Sequence, residues 1–356
     1  MIQVNDPGDG QAMTWRMTLM RLRRRIATGF VTARRCNDMA GRHGSVLKTA
    51  SMPASPQPFQ TIAILGNTGD SRVVESLQIL AAHLQTRQRR VLVDAATDVD
   101  YSGAVVERLP ESELSSAAEL MVAVGGDGSM LHAARLAAPR GIPVLGINRG
   151  RLGFLADISP AELTARVDEI LAGRFVTDQR AMLNAALSSS GCNDLFCNAL
   201  NDVVLQKWQT GRILDFETWI DGRYVNTHGG DGLVIATATG STAYALSCGG
   251  PIMYPGLDAV VLAPICPHTL SDRPIVVRST STIEVRLLER PDSNAQVTCD
   301  GVSLGALSPG DRLIVTPAQG RVTLLHPEDH DYYRILRSKL RWGRGDRTTP
   351  YQTSET

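Results

Sequence analysis

Between residues 61 and 148 short apolar runs alternate with segments whose apolar residues recur at helical spacing. TIAILGN (residues 61–67) reads as a buried strand ending at a turn. Val73, Val74, Leu77, Leu80, Ala81 and Leu84 then share one face of a helix that Ser71 is expected to cap and that runs to about residue 87. RVLVD (90–94) predicts a second strand, residues 120–124 a third, 129–138 a helix and PVLGIN (143–148) a fourth strand. Runs this continuously apolar need cover on both faces, which predicts a parallel sheet in an α/β layer. Near Phe175 the period changes to two. ALSSS, DVVLQK, FETWIDG, LVIATA, PIVVRS, TIEVRLLE, QVTCDG and DRLIVTP alternate apolar with polar residues between Gly, Asp and Pro turns, the pattern of a sandwich or stacked sheets. One short helix is expected inside this half, from Ser241 in STAYALSCGG, and another over residues 329–340.

These patterns divide the chain into a basic extension (1–58) expected to be disordered, an α/β domain with a parallel sheet (59–160), a β-rich sandwich-like domain (161–326) and a helical tail (327–356) with a frayed end. Within the extension, residues 16–48 carry Arg21, Arg23, Arg24, Arg25, Arg34, Arg35 and Arg42 against one acid, Asp38, and a linker containing Pro53, Pro56 and Pro58 follows. Such composition suits a mitochondrial presequence, a basic tail or an upstream translated stretch, so a mitochondrial matrix location stands as the alternative to the cytoplasm.

The 356 residues are 43% hydrophobic and 20% charged with a formal net charge of zero. A globular protein of about two domains is implied, with no global attraction to nucleic acid or an anionic membrane. No apolar run reaches the roughly 18 residues of a membrane span. Cys36, Cys192, Cys197, Cys248, Cys266 and Cys299 are scattered without C-x-x-C or zinc spacing, which predicts free thiols in a reducing compartment.

Candidate chemistry lies in two glycine-rich acidic turns. Gly125-Gly126-Asp127-Gly128 follows the third strand, and Gly229-Gly230-Asp231-Gly232 leads into LVIATATGSTAY (233–244). Glycines let the backbone approach a ligand without a Cβ in the way, and an aspartate beside the amides of a following helix start can take a proton from a hydroxyl next to a phosphate. The plainer reading of one such turn is a tight connection with a capping aspartate. Thr237, Thr239, Ser241, Thr242 and Tyr244 crowd hydroxyls around Gly240, for which structure alone has little use. There is no G-x-x-x-x-G-K-[ST], no strand followed by G-x-G-x-x-G and no H-R-D. His326 and His330 have a spacing that invites a metal, but Pro327 between them spoils helical geometry, so both are assigned to a loop and no metal site is expected.

Together these residues resemble the NAD kinase family. The resemblance rests on GGDGS (125–129), GINRGRLGFL (146–155), the pair Asn201-Asp202, the stretch from Asp231 to Ile252, PICPHTLSDRPIVV (264–277) and Cys299-Asp300-Gly301, and covers about residues 60–340. It implies an α/β domain, a β-rich domain, an active site between them and assembly into homodimers or homotetramers. The implied reaction moves the γ-phosphoryl group of ATP to the 2′-hydroxyl of the adenosine ribose of NAD. In it Asp127 accepts the hydroxyl proton, Gly125, Gly126, Gly128 and Ser129 hold phosphate, and Mg²⁺ arrives with ATP rather than in a preformed cage. The NAD site implied by the resemblance comprises Asp127, Gly128, Asn201, Asp202, Arg212, Gly229, Asp231, Thr242, Ala243, Tyr244, Ala245, Leu246 and Ser247. On residues alone, Asn201-Asp202 also fits an Asx turn, Tyr244 a packed ring and Arg212 an exposed side chain.

Some positions depart from the family pattern. Gly229 stands where many bacterial members have Arg or Lys, which removes a positive charge near the dinucleotide and predicts relaxed discrimination between NAD and NADH. Ala238 replaces a proline and Val302 a glutamine, while Cys248 and Asp272 are milder changes. A lipid kinase or a catalytically silent NAD-sensing module would share parts of this pattern. The hydroxyl-rich loop argues against the first, and the intact Gly125-Gly126-Asp127-Gly128 against the second.

Overall fold

A computed structural model describes residues 58–150, 153–188, 195–208, 213–289 and 294–341. Most of the basic extension and Arg212 lie outside the described residues. The α/β layer is built from β1 (Thr61–Gly66), α1 (Ser71–Thr86), β2 (Arg90–Asp94), β3 (Glu107–Leu109), α2 (Glu111–Ala117), β4 (Leu120–Gly125), α3 (Asp127–Ala137), β5 (Val144–Asn148), α4 (Leu163–Leu171) and β6 (Val176–Arg180). Strand order is β3-β2-β1-β4-β5, followed by the late strand Val322–His326 and then β6. β1 to β5 pair in parallel. Val322–His326 runs parallel to β5 and antiparallel to β6.

Every residue of β4 and β5 is buried, because helices cover both faces. Leu77, Leu80 and Leu84 of α1 and Val167 and Ile170 of α4 close one side. Met130, Ala133, Ala134 and Ala137 of α3 close the other, in a cluster that also holds Leu155, Ala156 and Leu200. Three details differ from the sequence reading. Asp70, not Ser71, caps α1, its carboxylate accepting from Arg72 N at 2.9 Å. α3 begins at Asp127 itself with Gly126 as its cap residue, two positions before the expected start. β3, α2 and α4 were not anticipated: three residues of strand and a helix with one buried side chain, Leu114, leave little periodicity to read, whereas α4 buries Leu163, Val167, Ile170 and Leu171 at helical spacing and was overlooked.

The β-rich half consists of two six-stranded antiparallel sheets. One orders its strands Arg223–Gly230, Leu214–Ile220, Ile283–Leu287, Arg312–Pro317, Leu183–Ser188 and Leu195–Ala199. The other orders them Ile275–Arg278, Ala259–Ile265, Gly232–Thr237, Asp202–Lys207, Ala295–Cys299 and Val302–Leu307. Phe216, Val285 and Leu313 from the first share a core with Leu205, Ile235 and Val297 from the second. Each such side chain contributes about 1.5–3 kcal/mol by leaving water. The expected α/β plus β-sandwich architecture is therefore present. α5 (Tyr244–Ser247) lies on the second sheet's outer face, where Ala245 packs with Val234, Ala236 and Met253. α6 (Tyr332–Leu340) starts at a capping Asp331, whose carboxylate accepts from Tyr333 N at 2.8 Å.

The second glycine-rich turn is not a strand-to-helix connection. Gly230 ends a strand of one sheet and Gly232 begins a strand of the other. Gly232 has φ +155°, and a Cβ there would lie 2.0 Å from Leu205 O, so only glycine permits this crossing. Among the described residues no helix is long and apolar enough to cross a membrane.

Candidate active site

Buried β4 delivers the chain to Gly125 at φ +149°, where a Cβ would meet Ser129 Oγ at 2.3 Å. No side chain caps α3 at Gly126. Ser129 N and Met130 N donate to Gly126 O at 3.0 and 3.3 Å, so the amides before them are the ones available to an anion, where the helix dipole favours negative charge. Gly125, Gly126, Gly128 and Ser129 line a cavity of about 500 Å³ together with Asn67 and Arg149. Arg149 is braced there by bonds to Arg72 O at 2.6 Å, Ser76 Oγ at 2.5 Å and Glu75 Oε2 at 2.6 Å. Asp70, Asp94 and Glu111 add carboxylates to the same wall. Two of these are engaged, Asp70 with Arg72 at 2.7 Å and Glu111 with His132 at 2.6 Å.

Asp127 is partly exposed at the head of α3, and its carboxylate accepts Phe154 N on Oδ2 and Leu155 N on Oδ1, both at 3.0 Å. Gly153 makes this approach feasible: a Cβ there would sit 2.1 Å from Asp127 Oδ1. Each carboxylate oxygen has a further lone pair, so both remain able to accept from a ligand.

A second group forms around the 200–202 turn. Leu200 N, Asn201 N and Asp202 N donate to the Asp300 carboxylate at 2.8, 2.8 and 3.1 Å. Asn201 is partly exposed, whereas Asp202 is 7% exposed. Burial, followed by the charge of Asp300, pushes the Asp202 carboxyl up to about 7. Burial also raises Asp300, against the pull of its three amide bonds. Asp202, Asp231, Cys248 and Cys266 all act electrostatically on Tyr244, whose hydroxyl burial raises first, so these groups share one neighbourhood. Tyr244 is 40% exposed on α5, which contradicts a packed-ring reading and leaves its face open.

Thr242, Ala243 and Leu246 are half-buried, Ser247 exposed and Ala245 fully buried, so Ala245 presents no side chain to a ligand. Gly229 lies in an edge strand, yet a cation does stand near this turn. Lys207 Nζ is 2.6 Å from Asp231 Oδ1 because the strand Asp202–Lys207 pairs with Gly232–Thr237. Position 229 alone did not reveal it.

His326 and His330 do meet, but not as expected. His326 ends a strand and is 1% exposed, His330 follows in a turn, and their Nδ1 atoms lie 3.1 and 2.6 Å from Asp157 Oδ2. The rings stack at 3.9 Å with 22° between planes. Both nitrogens converge on Asp157 Oδ2, and the three side chains place their donor atoms within 4.8 Å of one another, contrary to the expectation from Pro327 that the histidines would not be brought together. The group is a carboxylate-bridged imidazole pair tying the C-terminal segment to the 153–158 loop. Burial alone would raise Asp157; the two imidazole bonds outweigh it and hold the carboxyl well below the usual range.

Two family models match the chain: an ATP-NAD kinase N-terminal domain over residues 62–175 and an ATP-NAD kinase C-terminal domain over residues 200–326. An NAD kinase of Chromohalobacter salexigens is 43% identical over 286 residues, 80% of this chain and 98% of that protein. One from Nitrosococcus oceani is 43% identical over 288 residues, 81% of this chain and 98% of its own length. Yeast NADH kinase complexed with NADH superposes with a TM-score of 0.74 at 25% identity, covering 83% of this chain and 91% of that one. An NAD kinase from Archaeoglobus fulgidus in complex with ATP gives 0.61 at 25% identity over 79% and 98%.

Proposed function

The chain belongs to the NAD kinase family and is an ATP-dependent kinase that phosphorylates NAD; from that premise we propose how its residues divide the work. Asp127 accepts the proton of the adenosine 2′-hydroxyl as that oxygen attacks the γ-phosphorus of ATP. The amides of Gly126, Asp127 and Gly128 hold phosphate oxygens, while Ser129 N, which donates to Gly126 O at 3.0 Å, closes the turn beneath them. The observation that carries this reading is one carboxylate at an uncapped helix start, held by two backbone amides and adjoining a glycine-lined cavity. Phosphoryl transfer asks the protein mainly for alignment and charge neutralisation, and both are supplied here by fixed backbone dipoles. Mg²⁺ enters with ATP, and of the carboxylates lining the cavity Asp94, which has no ion-pair partner among the described residues, would offer the oxygen donor such a hard ion and its waters prefer.

Asn201 and Asp202 take the adenosine end of NAD, with Gly128 beside the ribose. Thr242, Ala243, Tyr244, Leu246 and Ser247 border the adenine, Tyr244 by its open ring face, with Ala245 as the buried anchor of that segment. Asp231, with Gly229 and Lys207, lies toward the nicotinamide. The absence of a side chain at Gly229 supports acceptance of NADH as well as NAD. The protein acts in the cytoplasm as a homodimer or homotetramer.

Replacing Asp127 by Asn tests the central assignment. The amide keeps the size but cannot take the proton, so kcat should fall about 10²- to 10⁴-fold with NAD affinity nearly unchanged. A wild-type rate of NADP formation would refute the assignment.

A further inference from the structure

The backbone of the 200–202 turn is saturated. Its three N–H groups go to the Asp300 carboxylate at 2.8, 2.8 and 3.1 Å. Its carbonyls are taken in turn by Thr237 Oγ1 on Leu200 O at 2.6 Å, Thr237 N on Asn201 O at 2.9 Å and Asp300 N on Asp202 O at 2.9 Å. Thr237 Oγ1 also accepts Gly240 N at 3.1 Å, and a Cβ at Gly240 would lie 2.1 Å from Asn201 O. Two residues far away in sequence, Asp300 and Thr237, thus consume every main-chain polar group of the turn and leave the Asn201 and Asp202 side chains as its free chemistry. A carboxylate accepting three amides is more than a loop of this length needs in order to turn, and its burial is costly unless the geometry it enforces matters.

We infer that Asp300, supported by Thr237, is a positioning residue for the phosphorylation of NAD: it holds the 200–202 turn so that Asn201 and Asp202 face the adenosine of the substrate. The inference rests on the assignment of Asn201 and Asp202 to the NAD site. A protonated Asp202 can donate as well as accept, so the pair Asn201-Asp202 offers a ligand both kinds of hydrogen bond. The charged groups acting on Asp202 begin with Asp300; on the other side Tyr244 and Cys248 both feel its charge.

The test is Asp300→Asn in the full chain, with NAD affinity by calorimetry, KM for NAD and for ATP, and the pH profile of kcat/KM for NAD. An amide cannot accept all three N–H groups without turning its own NH₂ onto one of them. NAD Kd and KM should rise about 10- to 100-fold, the loss of one or two such bonds, while KM for ATP stays within about twofold. The profile should also change. In the wild type NAD capture should decline as Asp202, raised by burial and then by the charge of Asp300 to about 7, ionises, and removing the neighbouring charge should move that decline to lower pH, an effect that mere loss of packing does not produce. Thr237→Val removes the bonds to Leu200 O and Gly240 N without touching charge. It should raise KM for NAD with no shift of the profile, and it keeps the inference testable if Asp300→Asn fails to fold.

Asn201→Ala separates this inference from the reading beneath it. If Asn201→Ala binds NAD as tightly as the wild type, the NAD-site assignment is wrong. If Asn201→Ala weakens binding while Asp300→Asn and Thr237→Val leave it unchanged, the positioning role alone is overturned. An unshifted pH profile in a folded Asp300→Asn protein overturns the role of its charge.

Discussion

Gly153→Ala is the most demanding check on how the carboxylate proposed as the proton acceptor is held. The added Cβ would sit 2.1 Å from Asp127 Oδ1 and 3.0 Å from its Cγ, where ordinary contact begins near 3.4 Å. The shortfall is about 1.3 Å at Oδ1, and neither side yields freely. Asp127 is fixed as the first residue of α3 behind buried β4, and the 153–155 segment leads into Leu155 and Ala156, both buried at 2% exposure or less. Either the carboxylate swings away or the loop withdraws, and both separate Asp127 from the Phe154 and Leu155 amides. A displacement of about 1 Å in a reacting group costs on the order of 10²-fold in rate. Initial rates of NADP formation at saturating ATP and NAD should therefore fall about 10²-fold, with NAD Kd within a few-fold and a single cooperative melt. Gly150→Ala in the same loop, where a Cβ meets nothing within 4 Å, is the matched control and should stay near wild type. If Gly153→Ala keeps a rate within about twofold of wild type, the two amide bonds do not set the position of the base.

Asp202→Asn should flatten the pH dependence of stability. A carboxyl raised from 3.8 to about 7 binds its proton more tightly when folded, so the stability it confers is complete below about pH 4 and lost as pH rises through 7; the wild type should lose on the order of a few kcal/mol across that window in denaturant titrations and the variant much less. Lys207→Met leaves Asp231 without its ammonium partner at 2.6 Å; the ratio of kcat/KM for NAD over NADH should rise about fivefold, because an unpaired carboxylate favours the cationic nicotinamide by roughly 1 kcal/mol, and an unchanged ratio would remove Asp231 from the nicotinamide end. His330→Ala removes one of the two imidazole bonds on Asp157 and should cost about 1–3 kcal/mol at neutral pH. Because the Asp157 carboxyl is held below its ordinary 3.8, that stabilisation is present above the unfolded value and fades in acid, so the melting curves of variant and wild type should approach each other as pH falls.

What the sequence made legible follows from how local each determinant is. β1, α1, β2, β4 and β5 were readable because their burial is imposed by continuous apolar runs or a single apolar face, and the first glycine turn because a buried strand runs straight into it. The same four letters at 229–232 misled, since what makes Gly232 obligatory is Leu205 O on a neighbouring strand. Period-two alternation likewise predicted strands but not their sheet. β6 and Val322–His326 fall within the half expected to be β-rich, yet they close the edge of the α/β sheet. Lys207 beside Asp231, and Asp300 beneath the 200–202 turn across about a hundred residues of chain, had no local signature beyond a D-G turn. Two histidines four residues apart suggested a pair, but only the fold supplied Asp157 between them.

α3 is the mechanical link between the two halves of the site. Its first residue is Asp127 and its first turn faces the cavity, while Met130, Ala133 and Ala134 farther along pack in one cluster with Leu200, the residue just before Asn201. Arg135 on the same helix acts on Asp300 with a favourable charge. An α-helix of 11 residues is stiff on the scale of a bond length, so the separation between Asp127 and the 200–202 turn is set by packing within one core rather than by closure of two lobes. On the proposed assignments, the precision of the in-line transfer would come from Leu200 and Asp300 gripping the turn from either side, with the glycines of the helix start leaving room for the phosphates between.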